Sequence, residues 1–233
     1  MNPPSVLPHA AMRPALHRIG RDQTPVVTID AFCGDCTPVV ELAAALAPLP
    51  PATNHYPGLR RVIAAHEPAM AYAESLLEAA APFIAGAYDI DSFDLIEASF
   101  SMVTAPAQTL TPVQRSPHFD STDPRHFAVM HYLRETEGTA FYRHRATGIE
   151  CVTEANLAHY VAAARGEAAR AGPSYIAGSN AHYELIGGVT GHADRLVIYP
   201  GSLLHSGVIA PDTQLSSDPR DGRLTANLFI RAA

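Results

Sequence analysis

The apolar positions of this chain change rhythm near residue 93. Before it, Thr37 to Leu46 and Leu59 to Ile84 carry alanine, leucine and valine at helical spacing. The first run stops at Ala47-Pro48-Leu49-Pro50-Pro51. The second follows a Tyr56-Pro57-Gly58 turn, is broken at Pro68, contains His66 and ends near Pro82. After residue 93 the apolar residues come as short runs between turn residues, the texture of strands. Leu95–Val103, Phe127–Leu133, Thr139–His144, Ala181–Ile186, Arg195–Tyr199, Leu203–Ile209 and Arg223–Ile230 are the predicted strands. Glu135-Thr136-Glu137-Gly138 turns the second into the third as a hairpin. One alanine-rich helix, Thr153 to Ala171 with its stop at Gly172-Pro173, interrupts the series, and Pro25 to Ile29 reads as an edge strand.

This order predicts a mainly β chain with helices (α+β), a β-sandwich or barrel with helices on one outer face. It divides one domain into a proline-rich arm at 1–25, a helical support region at 26–92 and a β core at 93–233 with a helical insert at 153–171. A length of 233 residues is ordinary for a single domain, and 47% hydrophobic residues suffice for its core. A net charge of −7 argues against a nucleic-acid partner. No apolar run approaches the ~20 residues that cross a bilayer. The start has no apolar segment behind a basic one, so no signal peptide is expected. Three cysteines do not make a disulfide framework and point to a reducing cytoplasm. Cys33-Gly34-Asp35-Cys36 could serve redox chemistry at a helix start, or zinc if a second pair existed; with only Cys151 left, it reads as a turn.

The candidate chemistry lies in Arg115-Ser116-Pro117-His118-Phe119-Asp120-Ser121. His118 and Asp120, separated by one residue, share a face of a strand or its frayed end and can reach one ion. His205 is the best third ligand. Two histidines and a carboxylate on one face of an ion, with the opposite positions open, are the ligand set of non-haem Fe(II) oxygenases. Downstream, Arg223 and Thr225 share a strand face, where a guanidinium fork and a hydroxyl suit a carboxylate.

His118-x-Asp120, then His205, then Arg223-x-Thr225 resembles the motif of the Fe(II)- and 2-oxoglutarate-dependent dioxygenases. Val129–Leu133, the Glu137-Gly138 turn and Thr139–Phe141 are similar to the prolyl 4-hydroxylase-like branch, as is the last strand, 222–229. The match runs from Ile96 to Ile230, and the front half adds support helices alone. The resemblance implies a double-stranded β-helix (jelly-roll, cupin-like) core, iron on His118, Asp120 and His205, and 2-oxoglutarate held by Arg223 with Thr225. It further implies O2 as oxidant, release of succinate and CO2, and hydroxylation of a C–H bond in a small molecule, amino acid or peptide side chain. The stretch from His205 to Arg223 is longer than is usual in the family. The excess, 210–221, reads as a rim insertion, and leaves Arg220 as a rival anchor.

Twelve histidines make chance motifs common. Asp123 and His126 are expected at the rim. His131 and His144 are expected as packed or solvated strand residues, and His182 and His192 as structural residues flanking a Gly187-Gly188 turn. Arg115, Arg125, Arg143 and Arg145 gather near the ligand segment: solvated strand ends in the plain account, holders of an anionic substrate in the sharper one. The partners expected are that substrate and at most a second copy of the chain. Two other classes compete: a cupin-like metal isomerase or hydrolase working without 2-oxoglutarate, and a metal-binding sensor without turnover. The isomerase or hydrolase would not need Arg223-x-Thr225; nothing in the sequence separates the sensor from the oxygenase. The loops that would choose the substrate, 104–117, 172–180 and 210–221, carry no recognisable signature.

Overall fold

The computed structural model describes residues 11–168, 172 and 174–233. Ten strands and three α-helices follow in the order β1 (Arg13–Ile19), β2 (Thr24–Asp30), α1 (Thr37–Ala45), β3 (Gly58–Val62), α2 (Pro68–Tyr88), β4 (Phe93–Val103), β5 (His126–Tyr132), β6 (Thr136–His144), α3 (Glu154–Ala168), β7 (Tyr183–Gly191), β8 (Arg195–Pro200), β9 (His205–Gly207) and β10 (Leu224–Ala232). Seven strands form an antiparallel sheet in the order β1-β2-β8-β5-β10-β4-β3, and three form a second, β7-β6-β9. This is an α+β architecture built on antiparallel sheets.

Strand parity sets the layers. On β10, Leu224, Ala226, Leu228 and Ile230 join Phe127, Val129 and Leu133 of β5 in a core shared with α1 and α2. The opposite faces of β5 and β8 give Ala128, Tyr132, Val197 and Tyr199 to a second core, completed by Phe141 and Val189 of the small sheet. A third core packs α3, through Tyr160, on the outer face of the small sheet, through Ala140, Tyr142 and Tyr183. The order of layers is therefore α1/α2, large sheet, small sheet, α3. Central strands buried on both faces explain the unbroken apolar runs of β5 and β8.

Several elements depart from the sequence pattern. Residues 13–19, expected in a loose arm, form β1 and pair along their length with β2. Six of the seven β1 side chains are exposed, so a ladder of backbone hydrogen bonds holds a strand that shows no hydrophobic alternation. Residues 1–10 of the expected arm lie outside the described residues. Leu59 to Val62, expected to begin a helix, is the edge strand β3 against β4. Leu59 and Val62 of β3, with Ile63 just after it, mimic helical spacing by accident. Pro68 starts α2 rather than breaking a helix, because an N-terminal turn has no use for its missing N–H. His66 therefore precedes the helix. Pro82 removes one helical bond without ending α2, whose flanking turns pack on the sheet and carry it to Tyr88.

The expected hairpin of β5 and β6 is absent. β5 pairs with β10 and β8, while β6 pairs with β7 and β9 in the other sheet. Gly187 and Gly188 lie inside β7 and not in a turn; a Cβ on Gly187 would stand 2.7 Å from Ile19 Cδ1. The predicted last residues of α3, to Ala171, and the Pro173 stop fall outside the described residues. No helix among the described residues is long and apolar enough to cross a membrane.

The buried face of α2 (Ala69, Tyr72, Ala73, Leu76, Leu77, Ala80 and Ile84) carries the packing of the helical layer. Leu76→Ala is expected to cost about 2–5 kcal/mol of stability, read as a lowered urea midpoint. An unchanged midpoint would contradict this packing.

Candidate metal and carboxylate site

His118, Asp120 and His205, far apart in sequence, meet through backbone pairing. The His118 N–H donates to the His205 carbonyl at 2.9 Å, and the His205 N–H returns the bond at 2.8 Å. The Asp120 N–H donates to the Gly201 carbonyl at 2.7 Å, fixing the same segment to the turn before β9. The segment thus adds a short bridge to β9, and its i, i+2 parity sends both candidate ligands to one side. His118 Nε2 stands 3.8 Å from Asp120 Oδ1, and His205 Nε2 stands 3.6 Å from Asp120 Oδ2. The imidazole centroids are 4.2 Å apart. One ligand atom from each of the three lies within 4.8 Å of the others.

The donor set suits a divalent cation. His205 is 4% exposed, and burial pulls its pKa down to about 4, so the ring is neutral near pH 7. Its Nδ1 lies 2.8 Å from the Leu203 carbonyl, which makes Nδ1 the protonated nitrogen and leaves the Nε2 lone pair facing Asp120. Burial raises the Asp120 carboxyl, and its Oδ2 is buried without a hydrogen-bond partner. A carboxylate oxygen left bare between two imidazoles is a costly arrangement that a cation relieves. His118 is 53% exposed on its side chain and forms the open edge of the set.

Arg223 and Thr225 open into the same cleft of about 580 Å³ as the three candidate ligands. Arg223 precedes β10 and is 8% exposed; Thr225 lies on β10, opposite Tyr132 on one side and Ser101 on the other. Arg223 donates one Nη2–H to the Gly138 carbonyl at 3.0 Å, while its Nε is buried without a partner. Gly138, expected in a turn, sits at a bulge of β6 with φ +105, where a Cβ would stand 1.9 Å from the Val189 carbonyl oxygen. Only glycine fits that backbone, which presents the Gly138 carbonyl to Arg223. Arg220 lies elsewhere: it is 54% exposed on its side chain and pairs with Glu41 of α1 at 2.6 Å.

The other sequence candidates separate from the cleft. Arg143 is buried against Glu150 at 2.5 Å and Glu184 at 2.8 Å, and Arg145 donates to the Asn180 carbonyl; neither lines the cleft. Arg125 pairs with Asp123. His144 is held by Thr147 and Glu167. His126 does line the cleft, with Nδ1 buried and unpartnered.

The front half contributes more than support. Tyr56, just before β3, and Arg60, on it, line the cleft, with Arg60 ion-paired to Glu97. The Tyr56 hydroxyl is buried without a partner, and burial pushes its pKa up to about 12 against the opposing charge of Arg223. The sequence signal was present in Tyr56-Pro57-Gly58, whose turn leads into a strand rather than a helix.

The family model described as "Family of unknown function (DUF6445)" matches residues 10–230. No curated protein matches the chain. Among solved structures, apo HygX from Streptomyces hygroscopicus aligns at 12% identity over 91% of this chain and 84% of that one, with a TM-score of 0.52. HygX with nickel and 2-oxoglutarate bound gives the same values. These likenesses show a shared fold. A prolyl-4-hydroxylase of Pseudomonas putida aligns at 16% identity over 95% and 92% of the two chains, with a TM-score of 0.39, too low to support a branch assignment.

Because the Tyr56 hydroxyl is buried and unpaired, Tyr56→Phe is expected to leave stability unchanged or to raise it by about 1 kcal/mol, measured by urea unfolding of the ligand-free protein. A loss of comparable size would show that the hydroxyl has a partner in the folded chain.

Proposed function

We propose that this chain, which belongs to the DUF6445 family of unknown function, is an Fe(II)- and 2-oxoglutarate-dependent oxygenase hydroxylating a C–H bond of a small molecule, amino acid or peptide side chain. The observation that carries the proposal is one cleft with two complementary features. It contains a cluster of two histidines and one carboxylate with a bare carboxylate oxygen, and a buried arginine with an unpaired N–H. An isomerase or sensor built on the metal cluster alone has no need of the second feature. The two facing sheets are taken as the double-stranded β-helix of that superfamily. Free cysteines are in keeping with a reducing cytoplasm.

In this reading His118 Nε2, His205 Nε2 and an oxygen of Asp120 would hold the iron. Bound iron with 2-oxoglutarate and O2 supplies the oxidising chemistry, yielding succinate and CO2. Arg223 would hold the distal carboxylate of 2-oxoglutarate, with the Thr225 and Tyr56 hydroxyls beside it in the same cleft. Gly138 positions Arg223 from behind. Ala128, Met130 and Phe229 supply apolar wall that limits water near the reacting atoms. His55, Arg60, Glu97 and Gln114 line the same cleft and supply polar groups for the primary substrate.

Anaerobic titration with Fe(II) and then 2-oxoglutarate is expected to give the weak visible charge-transfer band of a chelated 2-oxo acid. His205→Ala should abolish it. Arg223→Met removes charged hydrogen bonds of about 1.5–3 kcal/mol and should raise the 2-oxoglutarate needed for half-saturation roughly 10- to 100-fold. Arg220→Ala should leave it unchanged. Iron-loaded wild-type protein without the band would overturn the proposal.

A further inference from the structure

On the opposite face of the large sheet, a second group of metal-ligating side chains converges. Cys33 and Cys36 come from the turn between β2 and α1, His131 from β5, and Asp194 from the turn before β8. His131 belongs to the parity of β5 that faces the helices, so this group is separated from the His118 cleft by the sheet itself. The Cys33 and Cys36 sulfurs are 4.0 Å apart. Cys36 Sγ lies 3.8 Å from both His131 Nε2 and Asp194 Oδ1. Asp194 Oδ1 lies 3.0 Å from Cys33 Sγ and 3.1 Å from His131 Nε2. All four ligand atoms fall within 4.8 Å of one another.

Those separations, 3.0–4.0 Å, bracket the spacing of ligand atoms around a tetrahedral ion. Zinc bonds of about 2.3 Å to sulfur and 2.0–2.1 Å to nitrogen or oxygen put ligand atoms roughly 3.3–3.8 Å apart. A disulfide does not account for the sulfurs, which lie far outside the ~2.05 Å of an S–S bond. The surroundings are those of a built site. His131 is fully buried, and its Nδ1 is 2.8 Å from the Tyr72 hydroxyl of α2, which orients the ring and directs Nε2 to the sulfurs. Asp194 is held by the N–H groups of Cys33 and Gly34 at 2.9 and 2.7 Å. Ala31, Gly34 and Asp194 all adopt left-handed backbone, at φ 51, 82 and 63, to bring the turns together.

We propose that Cys33, Cys36, His131 and Asp194 form a structural zinc site, distinct from the His118-Asp120-His205 centre and independent of its function. Four protein ligands close the coordination sphere, which marks a structural rather than a catalytic site. The ion would tie α1 and the β2 turn to β5 and β8. Glu41 of α1 in turn holds Arg220, in the loop leading to Arg223. Loss of the ion is therefore expected to loosen the helical layer first.

The test uses the full chain carrying His118→Ala and His205→Ala, purified under reductant, with Co(II) as the probe. Expected are about one equivalent of metal per chain and the intense near-ultraviolet band of cobalt–thiolate bonds with the visible bands of tetrahedral cobalt, both displaced by Zn(II). Adding Cys36→Ser should remove the thiolate band and most of the metal while the circular dichroism remains that of a folded protein. Should that variant not fold, the spectrum of the parent decides alone. Cobalt bound without a thiolate band, no cobalt uptake, or a Cys33–Cys36 disulfide in protein purified without reductant that takes up no metal after reduction would each overturn the site.

Discussion

The alternation of side chains across the large antiparallel sheet is the constraint on which the rest of the molecule depends. β10 lies between β5 and β4 and serves two environments at once. Leu224, Ala226, Leu228 and Ile230 enter the helical core, while Thr225, Asn227 and Phe229 line the cleft. β5 divides in the same way, with Phe127, Val129 and His131 toward the helices and Ala128, Met130 and Tyr132 toward the small sheet. A slip of one residue would exchange the two sets, placing polar residues in the core and leucines in the cleft. Hydrophobic burial on one face therefore holds the register that positions polar chemistry on the other.

The cleft shows the cost of that arrangement. Asp120 Oδ2, Arg223 Nε, the Tyr56 hydroxyl and His126 Nδ1, all of cleft-lining residues, are buried without hydrogen bonds. Most buried polar atoms in folded proteins find partners, because each unpaired one costs a desolvation penalty. Several lie in one cleft: an acceptor beside two imidazoles and a donor on a buried arginine. The elements that converge on it are bound by backbone hydrogen bonds, as in the reciprocal pair between His118 and His205. The side chains are thereby held in place before any ligand arrives.

The two His-containing clusters lie on opposite faces of one sheet. Cys33, Cys36, His131 and Asp194 join turns and strands on the helical face, whereas His118 stands at an edge open to solvent. Tyr132, adjacent to His131 in sequence, points the other way and bonds Thr139 of the small sheet at 2.6 Å. Neighbouring residues of a single strand thus anchor the helices on one face and the second sheet on the other.

Much of this was legible in the sequence. That His118 and Asp120 share a side, as do Arg223 and Thr225, follows from strand parity, a local rule that holds wherever the strand lies; that His205 joins the first pair in one cleft came from pairing with the His118 segment. The change from helical to strand texture near residue 93 is local in the same sense. What depended on partners distant in the chain could not be read. β1 lacks hydrophobic alternation because it is held by its backbone, and β3 resembled a helix because three apolar residues happened to fall at helical spacing. Arg143 lies close to the ligand segment in sequence but pairs with Glu150 away from the cleft, whereas Tyr56, remote in sequence, lines it. The CxxC pair had no visible second half, because His131 and Asp194 join it only once β5 and β8 are paired in one sheet. Sequence determined which chemistries the chain could offer; tertiary structure alone decided which groups share a site, since proximity between distant segments is set by sheet pairing and packing.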